Sequence, residues 1–147
     1  MLQRYAGRHR LRWINLSLSQ NLKRKQCSMA ITLNHQGRPA RRRSVYGHNS
    51  GTTTEDVYTC PPNCTAELSY LHVINTTGNV SIEIEWYVAA DTYTSHFLTG
   101  KNLGAGEYIT FSDIEIVLAP GDKIQVTPAT AGHVDTILTV TETFSGI

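Results

Sequence analysis

The clearest signal along the chain is a period of two. Val80, Ile82, Ile84, Trp86 and Val88 alternate with Ser81, Glu83, Glu85 and Tyr87. Successive side chains of a strand point to opposite faces. The run therefore predicts a β-strand with one buried face, carrying Trp86, and one solvated, acidic face. Similar runs predict strands over residues 57–60, 65–75, 92–99, 108–111, 114–118, 123–127 and 134–144. Within 65–75 the apolar phase flips between Ala66 and Leu68 on one side and Leu71 and Val73 on the other. This predicts a bulge, or burial on both faces, near Ser69 and Tyr70.

Turn chemistry separates these runs. Asn75-Thr76-Thr77-Gly78-Asn79 predicts a hairpin into the Trp86 strand, and Leu103-Gly104-Ala105-Gly106-Glu107 predicts another hairpin turn. Pro120-Gly121-Asp122 is a tight turn, because Pro presets φ and Gly accepts positive φ. About eight short strands follow, with no helical period after residue 48. The fold class is all-β: an antiparallel β-sandwich over residues 49–147, jelly-roll or immunoglobulin-like. Both topologies share this one-dimensional pattern.

Charge divides the chain more sharply than its net value of +1 suggests. Residues 1–48 carry 11 Lys and Arg and no acid, so 11 − 0 = +11; residues 49–147 carry 2 against 12, so 2 − 12 = −10. The pattern predicts an extended basic N-terminal arm on an acidic domain. Gly37, Pro39, Gly47 and Gly51 argue for loop over residues 30–53. Arg41-Arg42-Arg43 is its densest charge cluster, and Arg38, Arg41, Arg42 and Arg43 are the candidate partner-binding residues. The acidic domain is not expected to bind nucleic acid by itself, which leaves the arm as the one route to it.

Three readings stand for residues 1–28: a true basic arm, a transit peptide rich in Arg and Ser, or an over-extended gene start ahead of Met29-Ala30-Ile31-Thr32. No stretch is apolar enough or long enough for a membrane-spanning helix, and no apolar signal-peptide core opens the chain.

Reactive chemistry is sparse. Cys27, Cys60 and Cys64 make an odd count, which argues against a disulfide framework; Cys60 and Cys64 are expected to be reduced residues at a turn. No two of the six histidines share a metal-ligand spacing. His72 is expected to pack in the core or at an edge, and His133 to lie in a polar loop. Glu83 and Glu85 sit two apart on one strand face and are expected to be solvated rather than to form a facing catalytic pair. The four Asn-x-Ser/Thr sequons, at Asn15, Asn63, Asn75 and Asn79, fit a β protein rich in Thr and Asn. No catalytic residue, metal site or cofactor is expected, and the chain is not expected to be an enzyme.

The runs Val57-Tyr58-Thr59-Cys60-Pro61, Leu71-His72-Val73-Ile74-Asn75 and Ile116-Val117-Leu118-Ala119-Pro120-Gly121-Asp122-Lys123-Ile124-Gln125-Val126 resemble small β-sandwich structural proteins of tailed phages. The resemblance covers residues 55–144. It implies a non-enzymatic virion protein that multimerises on a symmetric particle with capsid or other virion partners. Within that class a capsid decoration or cement protein is expected first, and a neck, tail or fibre-attachment component second. A carbohydrate- or receptor-binding β-sandwich, using Tyr87, Tyr93 and Tyr108 as a stacking platform, is the alternative of another class.

Overall fold

The computed structural model describes residues 40–145. They form eight strands in two four-stranded antiparallel sheets. These are β1 (Ala40–Asn49), β2 (Glu55–Thr59), β3 (Cys64–Asn75), β4 (Val80–Val88), β5 (Tyr93–Leu103), β6 (Tyr108–Leu118), β7 (Lys123–Pro128) and β8 (Val134–Phe144). The first sheet has the order β1-β8-β3-β6 and the second β2-β7-β4-β5.

This order decides between the two topologies. Only β4 and β5 are consecutive strands paired with each other. Every other connection passes from one sheet to the other, which is the double Greek key of a jelly roll. The turns at 75–79 and 103–107 are therefore crossings between sheets and not the expected hairpins. Asn75 holds both in place. Its buried amide donates to the carbonyls of Gly78 and Leu103, at 2.8 and 2.9 Å, and its backbone carbonyl accepts from Gly106 N. An Asn-rich segment looks like a hairpin turn locally, and only the packing of two sheets turns it into a bridge.

The inner faces meet in one core. Leu68, Leu71, Val73, Ile82, Ile84, Leu118, Ile124, Val126, Leu138 and Val140 are fully buried. Each such side chain contributes about 2 kcal/mol by leaving water. Trp86 is half-buried against this core, and its indole N–H donates to Asp122. The predicted bulge is present: the β3 register shifts between Leu68 and Tyr70 against both neighbours. Opposite it, Asp113 takes a φ of 58°. That kink splits the apolar pattern of β6, so residues 108–111 and 114–118 look like two strands while the ladder makes them one.

The eighth strand comes from the basic segment. The sequence places residues 40–48 in an arm outside the sandwich, but they form most of β1 and pair with β8 along its length, from Ala40↔Thr143 to Asn49↔Val134. Its inward positions are Arg41, Arg43, Val45, Gly47 and Asn49, of which only Val45 is a large apolar residue, so no period of two is visible. Gly47 sits in a tight spot: a Cβ there would stand 3.1 Å from Val57 Cγ2 and from Glu55 Oε1.

Candidate functional site

The two outer faces of the sandwich differ in chemistry. Across the first sheet, Tyr46 on β1 opposes Ile137 on β8, Ile137 opposes His72 on β3, and His72 opposes Thr110 on β6. Residues opposed in a ladder share a face, so this row lies on the outside. Tyr70, Ile74 and Tyr108 extend it. The ring of His72 is 6.4 Å from that of Tyr70 and 5.3 Å from that of Tyr108. His72 Nδ1 is 2.8 Å from Thr110 Oγ1. Tyr46 is 81% exposed, Tyr108 62% and Ile137 46%. A band of aromatic and β-branched side chains thus crosses the whole sheet. Ser44 and Thr139 continue the face with a hydroxyl pair at 3.1 Å. His72 lies on an interior strand with its ring outward, so it is neither a core nor an edge residue.

The outer face of the second sheet is charged. Asp56 bonds Lys123 Nζ at 2.6 Å and accepts from Gln125 Nε2. Burial opposes ionisation of Asp56, but these hydrogen bonds and the Lys123 charge outweigh it and hold its pKa below the usual value. Tyr87, Tyr93 and Tyr108 do not gather into one platform: Tyr87 and Tyr93 belong to this sheet and Tyr108 to the other.

The arginines part company. Arg41 and Arg43 point to the inner side, where both reach the buried carboxylate of Glu142, at 2.7 and 3.1 Å. Tyr58 Oη donates to the same carboxylate. Burial and the Glu142 charge push the Tyr58 pKa up. Two of the four expected partner-binding arginines are therefore engaged within the fold. Arg42 opposes Thr141, on the outer face beside the aromatic band, and has no ion-pair partner among the described residues. Arg38 lies outside the described residues, as does the question of residues 1–28.

Cys60 and Cys64 are free and buried, as expected from their setting. Burial, with the neighbouring Cys64, pushes the Cys60 thiol up to about 11; burial likewise raises Cys64. Neither is a nucleophile at neutral pH.

Two polar clusters escape sequence reasoning because strand pairing assembles them. His48 Nδ1 bonds Asp135, its ladder partner, and His48 Nε2 lies 3.5 Å from His133 Nδ1. On the second sheet, donor atoms of Glu83, Glu85 and His96 all lie within 4.8 Å of one another. No spacing in the chain links residue 85 to residue 96; the β4–β5 register does.

No protein-family model matches the chain, and no curated protein sequence matches it. Solved structures of similar trace include a pilus subunit of Bacillus endospore appendages, with 13% identity and a TM-score of 0.49 over 81% of this chain and 99% of that one. Another is a capsid chain of the Helicobacter pylori bacteriophage KHP30, with 10% identity and a TM-score of 0.46 over 73% of this chain and 94% of that one. A third is the VP2 protein of infectious bursal disease virus, with 12% identity and a TM-score of 0.45 over 80% of this chain and 36% of that one. At these identities and scores the similarities carry no functional assignment.

Proposed function

We propose that the chain is a non-enzymatic structural subunit of a tailed-phage particle, with a capsid decoration or cement role. It docks on a neighbouring capsid subunit through the outer face of its first sheet. The observation that carries this reading is the band of Tyr46, Ile137, His72 and Tyr108 across the outer face of the first sheet. A rigid antiparallel sheet needs one covered face; this one keeps its second face aromatic and almost free of ion pairs, while the opposite sheet keeps its own charged. Flat apolar surface rimmed by polar groups marks protein association. Arg42 at the margin of the band meets an acidic partner. Burial of the thiols and the engagement of Glu142 support a structural rather than a catalytic role. On a symmetric particle the subunit is multimeric. A neck, tail or fibre-attachment component would use the same face and differ only in its place on the particle.

Particles purified from cells carrying the gene, banded on a density gradient and analysed by mass spectrometry, are expected to contain this chain. A Tyr46→Ser/Ile137→Thr double variant is expected to fold, with a loss of about 1 kcal/mol from the cross-strand pair, and to be missing from the particles. Absence of the parent chain from every particle fraction sinks the proposal, and specific glycan binding by the free chain in its place supports the carbohydrate-binding alternative.

A further inference from the structure

We propose that Glu83, Glu85 and His96 form a binding site for a divalent first-row transition metal on the outer face of the second sheet. Glu83 and Glu85 are two apart on β4, so both carboxylates leave the same face. His96 stands directly across from Glu85 on β5. One donor atom of each lies within 4.8 Å of the others, and Glu85 Oε1 is 3.2 Å from His96 Nδ1. An ion with bonds of about 2.0–2.2 Å separates neighbouring ligand atoms by about 3.0–3.5 Å, so the Glu85–His96 edge already has metal spacing. The Glu83 carboxylate stands within 4.8 Å of both other ligand atoms.

The scaffold is stiff there. β4 pairs in unbroken register with β7 from Ile82 to Tyr87, which fixes Glu83 and Glu85, while its ladder with β5 shifts register on either side of Ile84 and resumes at Glu85↔His96. Charge favours a cation as well. Among the described residues no Lys or Arg forms an ion pair with Glu83 or Glu85, and Lys123 on the same face is taken by Asp56. The imidazole distinguishes the cluster from a solvated acidic stripe, because it brings a nitrogen donor from a second strand. Two carboxylates and one imidazole suit zinc, manganese, iron, cobalt or nickel. They suit calcium and magnesium poorly, since those ions take oxygen donors. Three ligands from one face leave the remaining positions open to water.

The test is a titration of the metal-free full-length chain with Zn²⁺ and, separately, Ca²⁺, by calorimetry and by NMR of the His96 ring. It is run in a His133→Ala background, which removes the close His48–His133 pair. The expected result is saturable Zn²⁺ binding that moves the His96 resonances, at least tenfold tighter than Ca²⁺. His96→Ala and Glu83→Gln should each weaken it at least tenfold. Equal affinity for the two ions, or Zn²⁺ binding indifferent to both substitutions, overturns the proposal. So does a His96 ring that does not respond to Zn²⁺.

Discussion

Arg41 and Glu142 stand opposite each other in the β1–β8 ladder, and the guanidinium Nη2 lies 2.7 Å from an oxygen of a fully buried carboxylate. Arg43 meets the other oxygen at 3.1 Å. The acid sits where an apolar residue would otherwise close the inner face, and its charge is balanced there by these two guanidiniums and by the Tyr58 hydroxyl. Replacing both arginines by Ala leaves the buried carboxylate with the Tyr58 hydroxyl and no countercharge, and should cost about 2 kcal/mol. That is below the cost of a wholly buried pair, because the guanidiniums are half exposed. Urea unfolding midpoints of the single and double variants check it, with each single change expected to cost less than half the double. The same variants are poor probes of docking, since they alter the fold. Arg42→Glu tests docking alone and should leave the midpoint unchanged.

The turn after β6 depends on one acid. Asp122 is buried; its carboxylate accepts from Ala89 N at 2.9 Å, Ala119 N at 3.0 Å and Trp86 Nε1 at 3.2 Å. Asp122→Ala leaves these donors without a partner and should cost about 3 kcal/mol, read as a drop in the thermal midpoint. Trp86 fluorescence should change with it, because the indole loses its acceptor.

Stability should fall on the alkaline side. Burial raises Cys60 from the ordinary thiol value of 9.0 to about 11 and also raises Cys64. A thiol raised in the folded state keeps its proton there while the unfolded chain loses it. Folding is thus fully supported below pH 9 and weakens as pH climbs from about 9 towards 11. Unfolding free energies measured at a series of pH values check the sign. In a Cys27→Ser chain, native Cys60 and Cys64 should resist a thiol reagent at pH 8 and react once denatured.

Gly132 lies where the loop before β8 presses on β4. A Cβ there would fall 2.2 Å from Val80 Cγ2. Gly132→Ala must push a buried valine aside and should cost about 1–3 kcal/mol. Pairing it with Val80→Ala should recover part of the loss, which a double-mutant cycle measures.

Several elements were legible in the sequence because their causes are local. The β4 alternation, the Ser69–Tyr70 bulge and the Pro120-Gly121-Asp122 turn each follow from side-chain periodicity or from the backbone preferences of a few adjacent residues, and the structure carries all three. The reduced state of Cys60 and Cys64 followed from the odd cysteine count and the tight geometry that bridging requires. What stayed hidden depends on partners far away in the chain. Arg41 and Arg43 look like a free basic cluster until Glu142, about a hundred residues on, is placed against them. That pairing converts an arm into β1, since an inward-facing arginine carries no hydrophobic signature. The outer aromatic band joins Tyr46, His72, Tyr108 and Ile137, and the metal-spaced cluster joins β4 to β5; both exist only in the strand register. The jelly-roll order was likewise beyond a one-dimensional pattern. A strand records which of its faces is apolar, but not which strand supplies its hydrogen bonds, and that choice is made when the two sheets bury their inner faces together.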